Sequence, residues 1–253
     1  MASDDRTGEG AGAESAREAL VARLDQVERL LAGGARLGRV SQNFVGGRSR
    51  WPVAVAVVVA IGLQLVLPDR FAAGHRAVPA FEMVLLIALV AANPLTDRRR
   101  ARWLRRAMVV FTAIITGTNA WSAVRLVQQI VEGKQQDALI LLTSGAAIWV
   151  TNVIVFGLWY WQFDRGGPLS RLAGAQPYPD FSFPQRQNPQ EAPAGWEPAF
   201  IDYLYLSYTN ATAFSPTDVM PFTGRAKFVM MVQSAVSLVT VALVIARAIG
   251  LFK

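Results

Sequence analysis

The sequence predicts an all-α integral membrane protein with five transmembrane helices and a re-entrant helix and loop before the last of them. Of its 253 residues, 53% are hydrophobic and 17% are charged, whereas soluble domains carry about a quarter of charged residues. The charges concentrate in the first fifty residues, near residue 100 and in 164–197, and they leave long apolar stretches between them. A spanning helix needs roughly 20 apolar residues, because the hydrocarbon core is about 30 Å thick. These stretches therefore favour a helical membrane bundle.

Five apolar segments define the predicted spans, and the first four of them form a four-span bundle over 51–163. The five are Trp51–Leu67, Pro79–Leu95, about Ala107–Val131, Ala138–Phe163 and about Ala226–Ile249. Aromatic residues stand at several span ends, where amphipathic rings prefer the membrane interface. They include Trp51, Trp103, Trp159, Tyr160 and Trp161.

Arginine placement predicts the orientation. Arginines precede the first span closely, at Arg36, Arg39, Arg48 and Arg50, and six more lie in 98–106, between the second and third spans, whereas the alternate connections carry few basic residues. The positive-inside rule then places the N-terminus in the cytoplasm of a multi-pass plasma membrane protein, and five spans place the C-terminus outside. This placement also explains the net charge of +7 without nucleic acid as a partner.

The first fifty residues contain a tail and one predicted helix. Residues 1–14 are polar, small and Gly-rich, which predicts disorder. Ser15 and Glu18 form a capping box, and leucine and valine then recur at helical spacing until Gly33. We expect an amphipathic cytoplasmic helix over 15–33. It would either self-associate as a short coiled coil or lie on protein or lipid.

The segment before the last span differs from an ordinary connection. Residues 164–198 are rich in Pro, Gly and Gln and predict a long ordered or semi-ordered loop. An aromatic run of about three helical turns follows in 199–212, which is too short to span a bilayer but fits a re-entrant half-helix. A polar run over 213–221 then leads to Gly224, Arg225 and the last span.

This order of elements resembles the pore loop of the potassium-channel superfamily, whose loop reads roughly Ser-Phe-Thr-Thr-Leu-Thr-Thr-Val-Gly-Tyr-Gly-Asp-Ile-x-Pro. Residues 207–221 align with it without a gap, and the resemblance as a whole, from the short aromatic helix through the last span, covers about a fifth of the chain. The identical positions are Ser207, Thr209, Thr212, Asp218 and Pro221. The closing segment is also similar to that of uncharacterised bacterial multi-span membrane proteins with degenerate pore loops. The resemblance implies an ion channel, homo-tetrameric, in a bacterial plasma membrane, with the bilayer and permeant inorganic ions as partners and no cofactor.

The filter-like loop departs from that family at its centre. The loop comprises Thr212, Ala213, Phe214, Ser215, Pro216, Thr217 and Asp218. Both filter glycines are replaced, and Pro216 fixes φ and removes an N–H. Stacked carbonyl sites for potassium are therefore not expected. We expect a channel weakly selective for cations through Asp218; the alternative is a non-conducting membrane scaffold or sensor with a pore-loop-derived fold.

The side from which the loop enters is a second departure. Four spans before the loop and a cytoplasmic N-terminus make it enter from the cytoplasm, as in ionotropic glutamate receptors and opposite to potassium channels. The alternative is that the arginine count misassigns the sides. If the loop only caps a bundle, Asp218 would cap its own turn or neutralise Arg225.

One polar stripe runs along the last span. Gln233, Ser237 and Thr240 recur at spacings of four and three, and Val244 extends the same face. In a tetramer this face would line the pore. The alternative is a helix–helix interface held by small polar residues.

The second and third predicted spans each contain one charged residue. Glu82 near the start of the second span and Arg125 near the end of the third fall at similar depth in antiparallel helices. We expect an intramembrane ion pair between them, or separate snorkelling to the headgroups.

Enzyme chemistry is not expected. The chain has no cysteine and one histidine, His75, in a connection. It has no Gly-x-Ser-x-Gly motif, no His-Glu pair and no paired acids within a span, so neither a nucleophile with its base nor a metal site is predicted.

Overall fold

A computed structural model describes residues 51–72, 77–91, 98–134, 137–172, 178–192, 196–212 and 218–251. These residues are predominantly helical. The predicted tail 1–14, the predicted helix 15–33, His75 and residues 213–217 of the filter-like loop lie outside them.

Eight α-helices occur in the described ranges. They are α1 (Trp51–Val66), α2 (Ala77–Ala91), α3 (Arg98–Val131), α4 (Ala138–Phe163), α5 (Pro168–Leu172), α6 (Pro184–Gln187), α7 (Phe200–Thr212) and α8 (Gly224–Leu251). A 3₁₀ turn, Asp164–Gly166, follows α4 directly. A helix therefore occurs in each of the five segments that the sequence singles out, and residues 92–95 of the second segment lie outside the described residues. The third begins at Arg98 rather than at Ala107, so the arginine run lies on α3 itself.

Three helices are long and apolar enough to cross a membrane. They contain the stretches Trp103–Val131, Ala138–Gly166 and Gly224–Leu251, whereas α1 and α2 are shorter apolar helices. Burial differs among the three: 61% of the apolar stretch of α4 is buried, against 33% for α3 and 22% for α8. α4 is therefore the central helix of the described bundle, and the other two keep apolar faces on the outside.

The sequence of α4 explains its central position. Asp137 caps its N-terminus by accepting hydrogen bonds from the backbone N–H groups of Leu139 and Ile140. Apolar residues then continue around the whole helix, which is typical of a helix buried on all sides. α4 contacts α1, α3, α7 and α8.

Side-chain contacts fix the directions of these neighbours. On α3, Thr116 accepts from Trp159 and Thr112 accepts from Gln162, so α3 runs antiparallel to α4. On α8, Arg225 bonds the carbonyl of Phe163 and Val244 lies against Gly145, so α8 is antiparallel to α4 as well. The start of α3, the end of α4 and the start of α8 therefore share one end of the bundle.

The predicted loop 164–198 contains regular structure at that same end. Phe181–Ser182 forms strand β1, which pairs antiparallel with strand β2, Met220–Pro221. The register places Phe181 opposite Pro221. This pairing ties the chain after α5 to the chain just before α8. Phe181 and Phe183 are almost fully buried, so this part of the loop packs as core.

Candidate functional site

The short helix α7 follows α4 from its C-terminal end to its middle. Four contacts mark its course. The ring centres of Phe200 and Trp161 are 6.2 Å apart, and Leu204 lies against Gly157. Further along, Ser207 Oγ donates to the carbonyl of Val153 at 2.6 Å, and the ring centres of Tyr208 and Trp149 are 5.9 Å apart. At 1.5 Å per residue, α7 is about 20 Å long and α4 about 39 Å. The helix therefore stops about half-way along α4.

Gly157 makes this close approach possible. A Cβ at this position would stand 3.2 Å from the Cα of Leu204 and 3.6 Å from its backbone nitrogen. Because the obstacle is backbone rather than a flexible side chain, any larger residue would push α7 away from α4.

The described residues on the two sides of 213–217 contact different parts of the bundle. α7 ends at Thr212, and two residues earlier Asn210 donates to the carbonyl of Met230, in the second turn of α8, at 3.0 Å. By Met220 the chain pairs with β1, next to the start of α8. Phe200 and Met220 therefore lie near the same end of the bundle, whereas Thr212 lies deeper in it, and residues 213–217 are outside the described ranges.

Five side chains form a central polar network where α4, α7 and α8 meet. Gln233 Nε2 donates to Ser207 Oγ at 2.7 Å and to its carbonyl at 2.9 Å. Gln233 Oε1 accepts from Tyr160 and, at 2.9 Å, from Asn210. Ser234 completes the network by donating to Asn210 Oδ1 at 3.1 Å. Gln233 is fully buried. Its side-chain amide makes four hydrogen bonds, two as donor and two as acceptor, all to residues of the same chain.

The predicted pore-lining residues are buried inside the subunit. Ser237 accepts from Asn152 of α4 at 3.0 Å, and Val244 packs on Gly145 of the same helix. Gln233, Ser237, Thr240 and Val244 are at most 5% exposed. The polar stripe of α8 therefore faces α4 and α7, and the expectation that it faces a water-filled axis needs correction. The stripe lies where a helix–helix interface would place it, between α8 and its neighbours α4 and α7.

The opposite face of α8 is apolar and exposed. Its exposed large side chains are Phe228, Met231, Val232, Leu238, Val239, Val241, Ile245 and Ile249. This face is suited to lipid or to another apolar helix, and it carries no polar stripe.

The ends of the filter-like loop have different surroundings. Thr212 Oγ1 donates to the carbonyl of Thr209 at 3.0 Å, so it closes the last turn of α7. Asp218 is exposed. Arg225, the neighbour considered for Asp218, instead bonds both carboxylate oxygens of Asp180, at 3.0 and 3.1 Å.

Two buried aspartates, which the sequence does not single out, hold the common end of the bundle together. Asp164 accepts from the hydroxyl of Tyr203 at 2.6 Å and from the backbone N–H of Asp180 at 2.8 Å. Asp180 in turn accepts from Thr223 at 2.7 Å and from Arg225. This aspartate pair therefore links the end of α4, strand β1, α7 and the start of α8.

The carboxylate of Glu82 is hydrogen-bonded to uncharged side chains. It accepts from Gln64 of α1 at 3.0 Å and from Thr118 of α3 at 3.2 Å, and the residue is fully buried. Arg125 is exposed and donates to Gln128 of its own helix at 3.4 Å. The structure therefore does not form the expected Glu82–Arg125 ion pair.

Among the described residues, no group of three or more His, Asp or Glu side chains is arranged to hold a metal ion. Comparisons with protein-family models, with curated proteins and with solved structures found no match for the chain.

Proposed function

We propose that this chain is a five-span membrane protein with a re-entrant hairpin over 200–221, and that it acts as a non-conducting membrane scaffold or sensor. The resemblance of residues 207–221 to a pore loop suggests the origin of the hairpin. The packing of that hairpin suggests a role in supporting the bundle rather than in selecting ions.

One observation carries the proposal. The amide of Gln233 satisfies its hydrogen bonds on Ser207, Tyr160 and Asn210 of the same chain. A water-filled pore along this face would require these bonds to open and their polar groups to bond water instead, which loses about 0.5–1.5 kcal/mol for each intramolecular bond. The remaining face of α8 is apolar.

The re-entrant arrangement is supported by length. α7 has 13 residues against 26 in α4, and the chain returns to the end from which α7 starts. The start of α3, with its six arginines, lies at this end too. By the positive-inside rule this supports a cytoplasmic origin for the hairpin and a cytoplasmic N-terminus. Reporter fusions at Met1 and Lys253 test this orientation, since an odd number of spans gives opposite results at the two ends.

A flux assay tests the functional proposal. Purified full-length protein is reconstituted into liposomes loaded with potassium, sodium or chloride, with gramicidin as the positive control for the two cations, a chloride ionophore as that for chloride, and empty liposomes as the negative control. We expect flux equal to that of empty liposomes for all three ions. Reproducible protein-dependent flux of any of the three ions would overturn the proposal.

A weakly cation-selective tetrameric channel is the second candidate, and the exposure of Asp218 favours it. Four such carboxylates around an axis would concentrate cations. In bilayer recordings, Asp218→Asn should then lower cation conductance and shift the reversal potential toward that of anions, more strongly at low salt. A four-fold particle would support this candidate, and a monomer would remove it.

A further inference from the structure

An apolar groove opens on the surface between α4 and α8. Its lining residues are Phe156, Trp159, Phe163, Phe228, Val229 and Val232, and its volume is about 180 Å³. Phe228 is 63% exposed and Val232 39% exposed, so the groove is accessible from outside the bundle. Nothing polar faces into it except the edge of Trp159, whose indole N–H is already bound to Thr116.

Basic residues stand at one end of this groove. The guanidinium of Arg225 lies 5.0 Å from the centre of the Phe163 ring, and its side chain is 53% exposed. One of its nitrogens is bonded to Asp180, which offsets part of its charge. Arg105 of α3 is exposed, and its Nε would stand 3.7 Å from a Cβ at Gly167. Both arginines lie at the bundle end where α4 stops and α8 starts.

The groove and the arginines have a fixed order along the helices. Arg225 comes one and two turns before Phe228 and Val232 on α8, so the apolar lining continues from the charged end toward the middle of the helix. An amphiphile with an anionic head and an apolar tail fits this order, with its head beside the arginines and its tail along the apolar lining. Arginine prefers phosphate, because its planar fork matches phosphate oxygens.

We propose that this groove binds an anionic glycerophospholipid of the surrounding bilayer, with its phosphate beside Arg225 and Arg105 and one acyl chain along Trp159 and Phe228. The site requires only that α4 and α8 lie in a membrane, and it goes beyond the proposed scaffold or sensor function. Basic residues near a membrane surface each add about 1 kcal/mol of attraction to anionic lipid, which corresponds to about fivefold in affinity.

Native mass spectrometry of the detergent-purified full-length chain tests the site. Phosphatidylglycerol and phosphatidylcholine with identical acyl chains serve as the probes. We expect phosphatidylglycerol to be retained at least fivefold more tightly. Arg105→Gln should remove most of that preference, whereas Lys134→Gln, at the other end of the bundle, should leave it unchanged.

The acyl-chain part of the site has its own test. Val232→Trp fills the groove and should reduce phosphatidylglycerol retention, whereas Leu238→Trp, on the exposed face outside the groove, should not. Equal retention of the two lipids by the wild-type protein, or retention unaffected by Val232→Trp in folded protein, would overturn the proposal. A protein dimer that Val232→Trp dissociates would also overturn it, since a second copy would then occupy the groove.

Discussion

The side-chain amide of Gln233 in α8 donates to Ser207 in α7 twice, at 2.7 Å to the hydroxyl oxygen and at 2.9 Å to the carbonyl. Both residues are fully buried. These bonds hold the second half of α7 against the third turn of α8. The polar face of the last helix is therefore part of the packing within the subunit.

Replacing Gln233 by leucine should destabilise the protein. The substitution keeps a similar volume but leaves Ser207, Asn210 and Tyr160 without their acceptor or donor. We expect a loss of about 1–3 kcal/mol in the free energy of unfolding, measured by reversible denaturation in mixed micelles. Leu238→Ala, on the exposed face of the same helix, should change it by about 0.5 kcal/mol or less. Equal effects of the two variants would contradict the importance of the network.

Gly157→Ala should loosen α7. The added methyl would meet the backbone of Leu204 at 3.2 Å, so the helices must separate and lose contacts around Ser207 and Val153. Gly117→Ala is the matched control, because a Cβ at Gly117 meets nothing within 4 Å and alanine favours a helix by about 1 kcal/mol over glycine. We expect a lower thermal midpoint for Gly157→Ala and an unchanged or higher one for Gly117→Ala. The reverse order would show that α7 does not pack on α4 as described.

Glu82 should be coupled energetically to Gln64 and not to Arg125. A double-mutant cycle with Glu82→Gln and Arg125→Gln should give a coupling energy of about 0.5 kcal/mol or less, as for independent sites. The cycle with Glu82→Leu and Gln64→Leu should give a clear coupling, since each substitution removes the buried hydrogen bond of 3.0 Å between these side chains. A large coupling to Arg125 would restore the ion pair that the sequence predicts.

The sequence locates helices better than it identifies what they face. Apolar length places helices on all five segments and on 200–212, because that signal depends on local composition alone. The spacing of Gln233, Ser237 and Thr240 identifies one polar face correctly. Whether that face meets water or another helix depends on where α4 and α7 pack, which no local pattern encodes.

The same reason explains the two features that the sequence misses. Asp164 and Asp180 lie 16 residues apart and meet through a turn and a short strand without any recognisable spacing. Equal depth suggested that Glu82 and Arg125 meet, but side chains at one depth can lie on different faces of their helices. Arg125 lies on the exposed face of α3, whereas Thr118 of the same helix faces Glu82.

Thiol labelling tests most directly the claim that the polar stripe of α8 is buried within the subunit. The chain has no cysteine, so Ser237→Cys, Thr240→Cys and Lys227→Cys each introduce a single thiol, and Lys227 is exposed on the same helix. In membranes, a small charged thiosulfonate should label Lys227→Cys readily and the other two only after denaturation. Labelling of Ser237→Cys and Thr240→Cys in the native protein, at rates near that of Lys227→Cys, would show that water reaches this face and would contradict the account.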